Sequence, residues 1–221
     1  MKKQKDIFLK SEGNKWYQRN LKYRTCEKTI EDDLIIKIFK RLEICPKKIL
    51  EIGCSNGYRL QGLKTIFQCE CFGIDPSIEA ITEGQKLFPG IKLHQGTADN
   101  IDSPNCYFDS VVLGFCLYLC DRKDLFKIAY EVDRVLIDTG YIIILDFNTP
   151  FPYKNKYKHY AGLYSYKMDY AKMFTWNPFY SCIFHQAFAH GYECGFDNLD
   201  DRIAVTVLQK NVCQGYPDNP F

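Results

Sequence analysis

Apolar positions along the chain follow two periods that alternate over roughly its first two thirds. From Glu27 to Leu42, the residues Ile30, Leu34, Ile35, Ile38, Phe39 and Leu42 form one helical stripe between charged neighbours. Pro46 closes that stretch, and Lys48 to Ile52 reads as a short buried strand running into Gly53. Tyr58 to Phe67 resumes the helical period. Cys69 to Ile74 is a second strand ending at Asp75-Pro76, and Ser77 stands as the N-cap of a helix from Ile78 to Leu87, stopped by Pro89-Gly90. Ile91 to Gln95 and Phe108 to Leu113 read as the third and fourth strands. Asp121 is placed to cap a long helix through Ile137, with Gly140 as its C′ glycine. Tyr141 to Leu145 then reads as a fifth strand, apolar almost throughout, as expected of a strand covered on both faces.

After Asp146 the pattern changes. Phe151 to Tyr180 has little clean period and is crowded with Tyr, Phe, Lys and Trp. Two strand-like runs follow, Ser181 to Ala189 and Arg202 to Leu208, joined by a turn-rich stretch around Gly191, Gly195 and Asp197-Asn198. The expected fold is an α/β, doubly wound, mostly parallel seven-stranded sheet, with helices on both faces and an antiparallel C-terminal strand pair. No internal repeat or low-complexity linker divides the chain, so one domain over 1–221 is expected.

Composition narrows the function classes. The chain has 221 residues, 25% of them charged, and a formal net charge of +2, which gives no strong field for nucleic acid or an anionic membrane. No run is long enough to span a bilayer, and Ile7-Phe8-Leu9 is too short for a signal-peptide core. The 11 cysteines are scattered without paired zinc spacing, the closest pairs being Cys69/Cys71 and Cys116/Cys120. They read as reduced thiols of a cytoplasmic protein with no metal site.

The chemistry concentrates in Glu51-Ile52-Gly53-Cys54-Ser55-Asn56-Gly57, between the first strand and its helix. Glycine at 53 and 57 lets the backbone turn sharply and approach a ligand, and the helix start behind it suits a carboxylate. A second acid, Asp75, ends the next strand, where a dinucleotide-type fold places the carboxylate that holds ribose hydroxyls. A nicotinamide or flavin loop would need glycine where Ser55 and Tyr58 stand, and a P-loop would need Gly-Lys-Ser/Thr. The loop, acid-x-Gly-x-x-x-Gly, resembles the first motif of the class I S-adenosylmethionine-dependent methyltransferases.

That resemblance extends from about Ile49 to Asn211. Phe72-Gly73-Ile74-Asp75-Pro76-Ser77 is similar to the second motif, which implies Asp75 as the ribose ligand, with Pro76 beside it and Ile78 next to the adenine. Gly96 to Ile101 resembles the third motif, which implies Asp99 at the adenine amino group and Ala98 offering its backbone. Phe108 to Phe115 resembles the fourth, which puts Gly114 and Phe115 beside the methionine portion. The implied donor site is Glu51, Gly53, Cys54, Gly57, Asp75, Pro76, Ile78, Ala98, Asp99, Gly114 and Phe115, with S-adenosylmethionine as cofactor and S-adenosylhomocysteine as product. Cys54 and Ser55 stand where many members carry glycine. Phe115 and Tyr118 read either as core or as cofactor floor.

In the resembled family, insertions after the fifth strand and at the N-terminus build the acceptor pocket. Here these are an aromatic-rich lid, 151–180, and an N-terminal cover segment, 1–26, in which Glu12 to Asn20 lacks helical periodicity yet carries Trp16 and Tyr17. The acceptor contacts implied are Tyr118, Asp146, Tyr160, Tyr166, Lys167 and Tyr170. His159 is the candidate general base, because His titrates near neutrality; Tyr166, Lys167 and Asp169 come second, and His94, His185 and His190 sit in or beside strands. Asn/Asp-Pro-Pro-Tyr/Phe is absent after the fourth strand, where Leu113-Gly114-Phe115-Cys116 stands, so a nucleic-acid substrate is not expected. The expected reaction is O- or N-methylation of a small molecule, a sugar or natural-product intermediate, by a monomer or homodimer. The competing readings are a non-catalytic cofactor-binding module and a nucleotide-sugar oxidoreductase, the latter opposed by the missing glycines.

Overall fold

A computed structural model describes residues 3–21, 30–189 and 198–219. Among these residues nine strands form: β1 (Lys48–Ile52), β2 (Glu70–Asp75), β3 (Lys92–Gln95), β4 (Phe108–Gly114), β5 (Leu136–Phe147), β6 (Tyr153–Lys156), β7 (Tyr164–Lys167), β8 (Tyr180–Ala189) and β9 (Arg202–Lys210). Seven of them make one sheet in the order β3-β2-β1-β4-β5-β9-β8. Pairings among the first five are parallel, while β9 runs antiparallel to both β5 and β8. This is the expected α/β sheet with its antiparallel C-terminal pair.

Alternation along the strands divides the core. On β4, Val112 faces a cluster with Ile35, Ile36, Leu60, Leu63 and Ile81, brought by α3 (Leu34–Arg41), α4 (Tyr58–Phe67) and α5 (Ile78–Leu87). Its neighbour Val111 faces the opposite cluster, with Ile128 and Val132 of α6 (Leu125–Val135) and Phe174 of α7 (Lys172–Thr175). A strand buried on both faces needs apolar residues at successive positions, which is why β4 and β5 read as continuous apolar runs. A short α8 (Val212–Gly215) follows β9.

Local caps decide where helices begin. Asp33 accepts from the backbone N–H groups of Ile35 (2.9 Å) and Ile36 (3.3 Å), so α3 starts there and Ile30–Asp32 forms a 3₁₀ turn. Residues 27–29 of the expected helix, like the turn residues Gly191, Gly195 and Asp197, lie outside the described residues. Ser77 caps α5 as expected, its Oγ accepting from the N–H of Ala80 at 3.1 Å.

Three expectations are corrected. First, the N-terminal segment is helical: α1 (Gln4–Ile7), a π-helical turn (Phe8–Glu12) and α2 (Gly13–Asn20) follow one another. Gln4 and Glu12 are buried there beside Phe8 and Tyr17, and polar residues facing inward erase the apolar stripe that marks a helix. Second, Asp121 does not cap α6, which is preceded by a 3₁₀ turn. Its carboxylate accepts from the N–H groups of Gln4 (3.1 Å) and Lys5 (3.0 Å) and so caps α1. Third, Gly140 is not a left-handed helix terminator. The positive φ belongs to Thr139 (66°), and β5 begins at Leu136; a side chain on Gly140 would meet Asp109 O at 3.0 Å. The aromatic segment 151–180 folds as a separate β6–β7 hairpin followed by α7. Among the described residues no helix is long and apolar enough to cross a membrane.

Candidate functional site

The parallel strands β1, β2 and β4 deliver their C-terminal ends to one side of the sheet, the place where open α/β sheets bind ligands. Gly53 leaves β1 with φ +77° and Gly57 enters α4 with φ +77°. A Cβ at Gly53 would lie 2.7 Å from Cβ of Cys116, so the turn and the close approach of β4 both require glycine. Ser55 takes a left-handed conformation (φ 54°) in the loop between them. Asp75 organises this turn: its carboxylate accepts from the N–H of Ser55 at 2.9 Å and from the N–H of Ser77 at 2.8 Å.

A cavity opens above these strand ends, with about 850 Å³ of empty space including its mouth. Gly53, Asp75, Pro76, Ala98, Asp99, Gly114 and Phe115 line it, so seven of the eleven donor-site residues expected from sequence come together. The other four do not line it. Glu51 is buried with Oε1 on Arg59, whose Nε reaches Asp33 at 2.9 Å; burial raises the Glu51 carboxyl against the pull of the Arg59 guanidinium. Cys54 points into the core towards Gly73, Gly57 abuts Leu93, and Ile78 is exposed on α5. Arg59 itself sits 2.9 Å from where a Cβ on Gly114 would be, directly under the cavity floor.

The sequence marks the N-terminal segment with Trp16 as a cover without naming its contacts; Lys5, Phe8, Gly13 and Trp16 supply them, and Cys116, Cys120, Asp121 and Asp124 after β4 line the cavity without having been expected to. The Trp16 in an otherwise polar N-terminus was the available signal. Lys5 pairs with Asp99 and, at 3.0 Å, with Asp124. Burial raises the Asp99 carboxyl, but the bonds from Lys5 and Thr97 outweigh it and hold the group below its usual range. Burial pushes both cavity thiols up, Cys120 to about 12.

None of the six residues expected to contact the acceptor lines this cavity. Asp146 is buried, accepting from the N–H groups of Leu117 (2.9 Å), Tyr118 (3.4 Å) and Phe147 (2.8 Å). Burial pushes its pKa up to about 7, against the pull of those three donors. Lys167 is buried over the Phe147 ring and pairs with Asp200 at 3.1 Å; Tyr170 is buried and donates to Tyr166 O at 2.8 Å. The Tyr166 ring stacks under the Arg122 guanidinium, and Tyr160 is exposed. Tyr118 comes nearest in its contacts, since its phenol lies beside Trp16 and its ring meets Phe147 edge-on. His159 is exposed beside Tyr157 outside the wall, Asp169 accepts from the N–H of Ala171, His94 is exposed, His185 bonds Thr206, and His190 lies outside the described residues.

Among the described residues the nine cysteines are free thiols, and no cluster of metal ligands occurs. Residues 49–140 match the family model described as Methyltransferase domain. Those residues carry a methyltransferase domain, on a fold shared with S-adenosylmethionine-dependent methyltransferases. The chain is accordingly a methyltransferase enzyme whose cofactor is S-adenosylmethionine. The cavity suits that group: glycines 53, 96 and 114 leave backbone in its wall, and an acid stands at the end of β2.

Solved structures share the fold at low identity. A SAM-dependent methyltransferase from Methanosarcina mazei superposes with a TM-score of 0.65 at 15% identity, over 80% of this chain and 98% of that one. The Burkholderia thailandensis 1,6-didemethyltoxoflavin-N1-methyltransferase, bound to 1,6-didemethyltoxoflavin and S-adenosylhomocysteine, gives 0.69 at 13% identity over 93% and 88%. A putative methyltransferase from Haloferax volcanii, in complex with the Trm112 methyltransferase activator, gives 0.67 at 13% over 93% and 98%. A search of curated protein sequences finds no match.

Proposed function

We propose that this methyltransferase transfers the methyl group of S-adenosylmethionine to a nitrogen or oxygen of a small molecule held beside the donor, under the N-terminal helical segment. The observation that carries this reading is the covered cavity itself. Phe8 and Trp16 line the same space as the glycine-lined strand ends, so the N-terminal segment closes over the place where a donor and an acceptor would meet. The Burkholderia neighbour, whose bound substrate is a small molecule, supports the same size class.

S-adenosylmethionine supplies an electrophilic methyl group on a sulfonium. The chain's own residues position it. Gly53 and Gly114 offer bare backbone to the methionine portion, Asp75 accepts from the ribose hydroxyls, and Pro76, Ala98 and Asp99 border the adenine. Glu51 acts from behind by holding Arg59 under Gly114, while Gly57, Cys54 and Ile78 set the loop and the start of α5. Phe115, Trp16 and Phe8 give aromatic surface that tolerates a cation and excludes water. Tyr118 orients Trp16. The remaining acceptor candidates, Asp146, Lys167, Tyr166 and Tyr170, act as scaffold for the floor and hairpin. His159 and Tyr160 belong to the hairpin rim. The free thiols and the formal charge of +2 support a reducing, cytoplasmic setting and argue against a polyanionic substrate.

Calorimetry against S-adenosylhomocysteine and NAD, followed by release of S-adenosylhomocysteine with a panel of ring amines and hydroxyl compounds, tests this reading. Binding of S-adenosylhomocysteine but not NAD, with turnover on a panel member, is the expected result. Turnover on an oligonucleotide or protein instead would overturn the small-molecule assignment.

A further inference from the structure

Glu12 ends the π-helical turn of the N-terminal segment and is fully buried. One oxygen has an evident job: Oε1 accepts from Arg19 Nη2 at 2.5 Å and from the Tyr157 hydroxyl at 3.1 Å. The other, Oε2, is equally shielded and has no hydrogen-bond partner among the described residues. Leaving a carboxylate oxygen dry and unmatched costs free energy, and a fold gains nothing from it. Such an atom calls for a partner that arrives from outside the chain.

Its location says what kind. Glu12 stands one helical turn from Phe8 and one from Trp16, both in the cavity wall. Its neighbour Gly13 abuts the end of β2, where a Cβ would lie 3.2 Å from Pro76, while Trp16 lies beside Tyr118 beyond the end of β4. The helix therefore holds Glu12 immediately behind the stretch of wall that Phe8, Gly13 and Trp16 line, between the two strand ends that flank the donor site. π-Turns inside helices gather at functional positions, and the buried residues of this one are Phe8 and Glu12.

We propose that Oε2 of Glu12 receives the acceptor's nucleophilic N–H or O–H group and takes its proton as the methyl group is transferred. This rests on the methyltransferase reading above and adds to it the base that His159, exposed on the hairpin, does not provide. The acceptor's lone pair forms the new bond to the methyl carbon, the carbon–sulfur bonding pair stays on sulfur, and the acceptor's proton leaves on Glu12 for later loss to water. A buried anion beside the reacting centre also favours acceptors that arrive as cations or protic groups over neutral aprotic ones.

Sinefungin tests the placement without any acceptor. In this S-adenosylmethionine analogue an amine-bearing carbon replaces the methyl-bearing sulfur, so its ammonium projects where the methyl group would lie. Wild-type protein should bind sinefungin about tenfold or more tightly relative to S-adenosylhomocysteine, and Glu12→Gln should erase that preference while S-adenosylhomocysteine affinity stays within about twofold. Glu12→Asp keeps the charge beside Arg19 but withdraws the oxygen, and should lower the preference severalfold. It serves equally should the Gln variant fail to fold. An unchanged ratio in a folded variant overturns the role of Glu12 alone. Failure of wild-type protein to bind either nucleoside overturns the donor-site reading and this inference with it.

Discussion

Asp75 illustrates how one side chain serves the fold and the ligand together. Its two oxygens hold the N–H groups of Ser55 and Ser77, and the same carboxylate lines the cavity. Asp75→Ala should weaken S-adenosylhomocysteine binding by about 1.5–3 kcal/mol and also lower folding stability by about 1–2 kcal/mol, as two backbone donors lose their acceptor. Calorimetry and urea denaturation separate the two effects; an unchanged dissociation constant rejects the ribose role. Asp146 behaves differently. Its folded pKa of about 7 stands above its ordinary value of 3.8, so the folded protein keeps a proton that the unfolded chain releases. Its contribution is fully present below about pH 4 and is lost as pH rises through 7. Wild-type stability should fall by about 2–3 kcal/mol relative to Asp146→Asn between pH 5 and pH 8. Parallel denaturation midpoints across that range would remove the assignment. Both acids were legible in the sequence as strand-end carboxylates, and Gly53 and Gly57 as turn residues. What covers each acid was not legible, because the neighbours come from elements distant in the chain. That is why Asp146, Lys167 and Tyr170, chosen as acceptor contacts, prove to be interior groups bonded to their own fold.

At the scale of elements, strands and helices of the sheet were readable because each buries a face against a constant surface, so period and burial agree. α4 and α5 match their expected limits, and β8 and β9 begin within a residue of theirs. The N-terminal segment escaped because its contacts are polar. Gln4 bonds Leu119 O and Tyr164 O, Tyr17 bonds Glu83, and Ser77 Oγ bonds Asn14, a stitching with no hydrophobic period. Asp121 shows the same lesson, since an acid before an apolar helical run looks like that run's cap yet serves α1, 116 residues away at Lys5. Asp121→Ala should loosen α1 by about 1 kcal/mol. Hydrogen exchange should then quicken about fivefold or more at residues 4–20, while the amides of α6 keep their protection. The reverse pattern would mean that Asp121 caps α6 after all.

For the whole molecule, the cavity is a seam. Its wall draws on residues from Lys5 to Ile128, taking in the N-terminal segment, β1, β2, β4, the turn after β3 and the first turn of α6. A ligand in that seam binds only when all of these are assembled, so its binding free energy adds to global stability rather than to one loop. At about 100 times its dissociation constant, S-adenosylhomocysteine should add about 2.7 kcal/mol, which for a chain of this length raises the unfolding midpoint by about 5–11 °C. NAD at the same concentration should add nothing, since Ser55 and Tyr58 occupy the positions where a dinucleotide loop needs glycine. With a formal charge of only +2, the shift should change little between low and physiological salt, because donor binding relies on the local pairing of Asp75 and bare backbone rather than on a long-range field. A shift with NAD, or one that vanishes on adding salt, would place a different ligand in the seam.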